Sequence, residues 1–161
     1  MSLIEARLRE LGLTPSAAFQ GPPGLRLPFT SVRVRGNRAY AAGHLPLNPD
    51  GSLASPLGKI GQDLSIEQGA KAARLVALAM LGSFQRELGD LDRITGWLRV
   101  LGMANMAPGF NQTSAVINGF SELIVEVFGE EAGIHARSAI GVAELPFNVP
   151  VEIEAEVEIR P

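Results

Sequence analysis

The sequence contains no cysteine and only two histidines. Without thiols, a disulfide framework, a thiolate nucleophile and any Cys-built zinc or iron–sulfur site are excluded. His44 and His135 are too few for a metal site without an accompanying carboxylate motif, so no metal ligand is assigned. Each reads as a loop or packing histidine. A basic stripe is missing too: 14 Lys and Arg against 17 Asp and Glu give a net charge of −3. The cations form only one loose cluster, Arg33, Arg35 and Arg38. Phosphate contacts supply most of the affinity of nucleic-acid binders, so a nucleic-acid partner is disfavoured. No apolar run is long enough to span a bilayer. Glu5, Arg7, Arg9 and Glu10 interrupt the N-terminal apolar pattern, unlike a signal peptide. The expected location is cytoplasmic, with no membrane partner. There is no G-x-S-x-G elbow, and Gly58-Lys59 is not a P-loop because Ile60 replaces the magnesium-binding hydroxyl.

What is present is ordinary globular usage. Of 161 residues, 46% are hydrophobic and 19% charged, which suits one domain with a sizeable core. Leu3, Ile4, Leu8 and Leu11 fall at helical spacing over residues 2–11, with Ser2 and Glu5 placed as a capping box and Gly12 as a stop. Residues 21–28 hold three prolines and two glycines and read as an extended arm. Val32 and Val34 alternate with arginines, Gly36-Asn37 supplies a hairpin turn, and residues 38–42 form the partner strand. Residues 45–61, rich in Pro, Gly, Asn and Ser, read as a long functional loop.

Residues 65–88 form the most regular helix, capped by Ser65 and closed by Gly89. Its middle, residues 75–81, is apolar on every side and predicts burial on more than one face. Residues 92–100 return to period two. A second helix is predicted over about 110–128. Its stripe is Val116, Ile117, Phe120, Leu123, Ile124, Val127 and Phe128, with Asn118 on the other side and Gly129 as the stop. Two strands follow, 137–145 and 151–160. This order predicts an α+β fold, a mixed sheet with both long helices packed on one face. The expected division is an N-terminal helix and arm over residues 1–27, then an α+β domain over 28–161.

In the last strand, Glu152, Glu154, Glu156 and Glu158 alternate with apolar residues, so successive carboxylates lie about 6.6 Å apart on one face. Two readings stand. The row is a solvated face balanced by arginines across neighbouring strands, or one glutamate is a base or water-positioning group. Arg137 has a similar pair: it offsets the glutamates, or its planar fork grips a substrate carboxylate. If the last two strands form a simple hairpin around Phe147-Asn148, Glu152 pairs near Glu144. Arg137 then lies seven residues away, or roughly 23 Å. A site using both residues would need a second subunit or a different strand order.

Several ordered motifs go further. His135-Ala136-Arg137-Ser138-Ala139, then Glu144-Leu145-Pro146 and Val151-Glu152-Ile153-Glu154, resemble the C-terminal signature of the Rid family, reactive intermediate deaminases long called YjgF proteins. Upstream, Arg35-Gly36-Asn37 with Ala42-Gly43-His44-Leu45-Pro46 is similar to the family's G-N and S-G-Q-I-P motifs. Gly61-Gln62-Asp63 and Asn118-Gly119 agree as well, and the resemblance covers residues 28–160.

The resemblance implies a chorismate-mutase-like fold and a homotrimer with ligand clefts between subunits. It implies hydrolysis of 2-imino acids or enamines to 2-oxo acids and ammonia, with no metal or organic cofactor. Arg137 would then bind the substrate carboxylate and Glu152 would position water. Phe29, Gly43, His44, Asn118 and Ala139 would fall at substrate-binding positions. Four residues depart from the family pattern: Phe29 replaces the usual cleft tyrosine, Ala139 a cysteine, Ala42 a serine and His44 a glutamine. Two other function classes remain: a small-carboxylate binding protein without turnover, and, ranked last, an endoribonuclease, a label the family has long carried.

Overall fold

Helix ends follow the local chemistry. In the computed structural model, which describes residues 2–161, Ser65 opens α2 (Ile66–Leu88) with a complete capping box. Its hydroxyl accepts from the Gln68 amide and the Gln68 side chain accepts from the Ser65 amide. Gly89 closes α2 in the left-handed conformation. At α1 (Leu3–Glu10) only half of the expected box forms. Ser2 Oγ accepts from the Glu5 amide, whereas the Glu5 carboxylate turns to Gln85 Nε2. The first-turn amides of Leu3 and Ile4, which have no partner within the helix, donate to Asp92 at 2.7 and 2.8 Å. α3 (Thr113–Gly133) starts three residues later than expected. Gly129 interrupts its helical backbone at φ 77°, so the predicted stop is a kink followed by a short continuation.

The strands β1 (Val32–Arg35), β2 (Arg38–His44), β3 (Ile94–Asn105), β4 (Ala136–Val142) and β5 (Val151–Ile159) form one mixed sheet in the order β1-β2-β5-β3-β4. β3 runs on well past the expected Val100. The simple hairpin of the last two strands does not occur. α3 carries the chain from β3 back to its start, so β4 pairs parallel to β3, as a helical crossover requires. β5 then crosses to the other side of β3 and pairs antiparallel to it. Glu152 therefore lies opposite Met103, not near Glu144.

Along β5 the apolar residues are buried under α2 and α3, and the glutamates stand on the open face. Trp97 sits at the centre of the core, with Phe84, Phe120 and Phe128 at ring separations of 5.7–5.8 Å. The two long helices cross so closely at Gly119 that a Cβ there would stand 2.1 Å from the Ala70 carbonyl oxygen. Most of the apolar middle of α2 is covered within the chain, with Leu75 and Leu78 left partly exposed. The sheet and α3 take two of its sides, and Ser16 lies against Gly82 on another. No helix among the described residues is long and apolar enough to cross a membrane.

Candidate functional site

Glu152 has the unusual environment. It alternates between the buried Val151 and Ile153, yet its carboxylate is itself half-buried, packed over the backbone of Gly43. A Cβ on Gly43 would lie 2.8 Å from Glu152 Oε1, so only glycine lets the carboxylate settle there. Among the described residues, no hydrogen bond or ion pair holds this carboxylate. Burial pushes its pKa above the usual carboxylate range, and the neighbouring Glu154 adds to the rise. The rest of the row is balanced further along. Glu156 pairs with Arg38 at 2.6 Å, and Glu158 accepts from Asn37 and Thr95. The solvated-face reading holds for those two residues.

Glu152 lies in the wall of a cavity of about 160 Å³ at the C-terminal end of β2. Phe29, Gly43 and His44 line the same cavity. Its polar side is a short chain of side chains. His44, 7% exposed, donates from Nδ1 to the Ala42 carbonyl at 2.6 Å. Its Nε2 accepts from the Ser83 hydroxyl at 2.9 Å, and Ser83 Oγ accepts from Arg86 Nη2 at 3.0 Å. Burial lowers the His44 pKa and Arg86 lowers it further, so the ring is neutral.

Arg137 is elsewhere. It lies on the edge strand β4, and its guanidinium turns toward α3. There it donates to Asn118 Oδ1 at 3.0 Å, Ser121 Oγ at 3.1 Å and the Ser114 carbonyl at 3.4 Å. Ser121 also contacts His135 Nε2 at 2.9 Å, and burial lowers the His135 pKa. No carboxylate lies within ion-pair distance of Arg137 among the described residues, so it does not offset the glutamate row. Ala139 follows on the same side of β4, its carbonyl accepting from Thr113 Oγ1. By register, Arg137 is two strands over and three residues along from Glu152, about 14 Å between backbones. The two side chains also point to opposite faces of the sheet.

The expected site residues thus fall into two groups in one chain. Glu152, Gly43, His44 and Phe29 share the cavity; Arg137, Asn118 and Ala139 share the β4–α3 edge. Sequence reasoning missed Phe19, Phe147, Ser83 and Arg86 in the cavity wall. Phe147 had been read as a turn residue and Phe19 as part of an N-terminal extension. Only the isolated aromatic character of each in a polar or Pro-rich context signalled a role.

A mixed five-stranded sheet with two long helices on one face is the YjgF-type, chorismate-mutase-like architecture. The chain belongs to the YjgF family: the family model described as "YjgF/chorismate_mutase-like, putative endoribonuclease" matches residues 26–155. It is 39% identical over 157 residues to Protein TCP17 of Trypanosoma cruzi, spanning 98% of this chain and 94% of that protein. The crystal structure of Atu1372 from Agrobacterium tumefaciens, described as of unknown function, is also 39% identical. It superposes with a TM-score of 0.85 over 98% of this chain and 92% of its own. The YjgF gene product of E. coli shares the fold at 21% identity and a TM-score of 0.59, over 91% of this chain and 98% of its own.

Proposed function

We propose that the protein is a homotrimeric deaminase that hydrolyses 2-imino acids, or their enamine tautomers, to 2-oxo acids and ammonia. The observation that carries this reading is the Glu152 carboxylate, half-buried beside Gly43, with no hydrogen-bond or ion-pair partner among the described residues and a raised pKa. A protonated imine is a cation, and an unpaired carboxylate is its natural neighbour. Glu152 accepts a proton from water as the oxygen attacks the imine carbon. The carbinolamine nitrogen then takes that proton back from Glu152. As the C–N bond breaks, the hydroxyl proton passes to Glu152, so ammonia leaves and the 2-oxo acid remains. Every atom comes from the imine and water.

Among the described residues the one Arg or Lys in the cavity wall is Arg86, which already holds Ser16 and Ser83. The partner subunit's Arg137 supplies the clamp in this reading, with Asn118 fixing its guanidinium. Two half-sites on opposite faces of one sheet are what a cleft between copies needs.

Ammonia release from imines generated in place by an amino-acid oxidase tests the reaction. A specific observation favours a second reading, ligand binding without turnover. Phe29, Ala42 and Ala139 leave the two half-sites without the hydroxyls and thiol of the family pattern. Ligand-induced melting shifts with no ammonia would establish that reading. Salt-sensitive RNA cleavage surviving stringent purification would replace both.

A further inference from the structure

The cavity beside Glu152 is larger and more apolar than a substrate of four carbons needs. Much of its wall comes from two segments at its mouth: Phe19, Leu27 and Phe29 from the arm, and Phe147 from the turn before β5. Leu45 and Leu47 add to the apolar lining from the loop after β2.

Both mouth segments are held in place. The arm is tied down just before it crosses the cavity. The Ala17 amide donates to the Pro49 carbonyl at 2.9 Å, and the Gln20 amide to the Gly51 carbonyl at 2.8 Å. Arg86 grips the Ser16 carbonyl at 2.9 Å. Phe147 and Asn148 stand at φ 56° and 57°, a left-handed conformation that is unfavourable for non-glycine residues and persists only when its surroundings impose it. Those surroundings are present. The Asn148 carbonyl accepts from the Gly58 amide at 2.8 Å, and the buried Asn105 donates to Asn148 Oδ1 at 3.2 Å and to the Val149 carbonyl at 3.3 Å. The strained turn holds the Phe147 ring against Phe19, with centroids 5.7 Å apart.

We infer that the Phe19–Phe147 pair is a specificity element, and that the preferred ligand is a 2-imino or 2-oxo acid whose side chain is a six-membered ring or a branched chain of similar bulk. A cavity of about 160 Å³ with aliphatic and aromatic walls is of the size that accommodates a benzene ring. The inference rests on the reading of Glu152 as the group that meets the imine carbon: the reacting end sits at Glu152 and the side chain fills the space under the two rings.

Calorimetry with phenylpyruvate and 2-oxobutanoate tests it on the full chain. The parent should bind phenylpyruvate at least about tenfold more tightly, as burial of a ring predicts. Phe19→Ala should lose most of that preference, phenylpyruvate affinity falling about tenfold further than 2-oxobutanoate affinity. Phe147→Gly, which also relieves the positive φ, should do the same without lowering the melting temperature. Equal or tighter binding of 2-oxobutanoate by the parent would overturn the inference and leave the proposed deaminase intact. A preference that survives in both variants would overturn it as well. Failure of both acids to bind would remove the underlying reading of the site together with this one.

Discussion

Glu152 and Gly43 depend on each other. The glycine leaves the space that the carboxylate fills, and the nearby polar groups of the cavity, His44, Ser83 and Arg86, bond to one another and to the backbone rather than to it. Gly43→Ala is expected to keep the fold, since the Cβ meets only the flexible end of Glu152. The displaced carboxylate should cost ten- to a hundredfold or more in ammonia release, by analogy with general-base contributions of about 10²–10⁴. Full activity in a folded Gly43→Ala variant would remove Glu152 from the reaction. The same carboxylate predicts a pH effect on stability. Its folded pKa is raised, so the folded state holds the proton more tightly than the unfolded chain. Glu152 therefore burdens stability little below the unfolded pKa of about 4.3, and progressively more as pH rises through the folded pKa. Glu152→Gln never charges. It should melt higher than the parent at pH 7–8, with the difference vanishing below about pH 4. A Gln variant that melts lower at pH 8 would mean that favourable contacts hold the charge.

Among the elements, the two long helices were the most legible in the sequence. Period, cap and stop signals agreed over residues 65–88. For the helix expected over about 110–128 only the apolar stripe was a sure guide, its start lacking a side-chain cap and Gly129 marking a kink rather than the end. The strand order was not legible. Alternation shows which residues of 151–160 face the core, but it carries nothing about which strand lies alongside. The turn at Phe147-Asn148 reads like a hairpin, although it leads the chain across the end of β3. Close approach of helices was equally hidden. Asn118-Gly119 stood out only as a motif, while the structure gives Gly119 a packing role against the Ala70 carbonyl. Gly119→Ala should force α2 and α3 apart at their crossing. Overpacking of that kind costs about 1–3 kcal/mol, which a denaturant midpoint would register at unchanged slope. A neutral Gly119→Ala would show that the crossing has slack. Gly96, on an open stretch of β3 with nothing near its Cβ position, is the control and should tolerate alanine far better.

At the scale of the whole molecule, motifs singled out Glu152, Gly43, His44 and Phe29, which share one cavity, and Arg137, Asn118 and Ala139, which share the β4–α3 edge. Nothing in the motifs marked the division between two faces. Arg137 and Glu152 lie in neighbouring motifs of the sequence, but β3 runs between their strands and their side chains stand on opposite faces of the sheet. That separation makes the proposed trimer testable without an assembled structure. Arg137→Lys replaces a bidentate fork with a point charge and should abolish most carboxylate binding while leaving the fold intact. Glu152→Gln keeps shape and most binding but should lose turnover. Each variant alone is then expected to release little ammonia. If each cleft takes Arg137 from one copy and Glu152 from another, co-expressing the two variants in equal amounts changes the outcome. A given cleft receives an intact arginine half the time and an intact glutamate half the time. Activity should then recover to about one quarter of the parent's, provided copies mix at random in a closed oligomer. Light scattering on the same sample should report three copies. A site built within one chain predicts no recovery at any mixing ratio, because every chain carries one of the two lesions. Absence of recovery in a mixed trimer would therefore refute the inter-subunit cleft even if both residues prove essential.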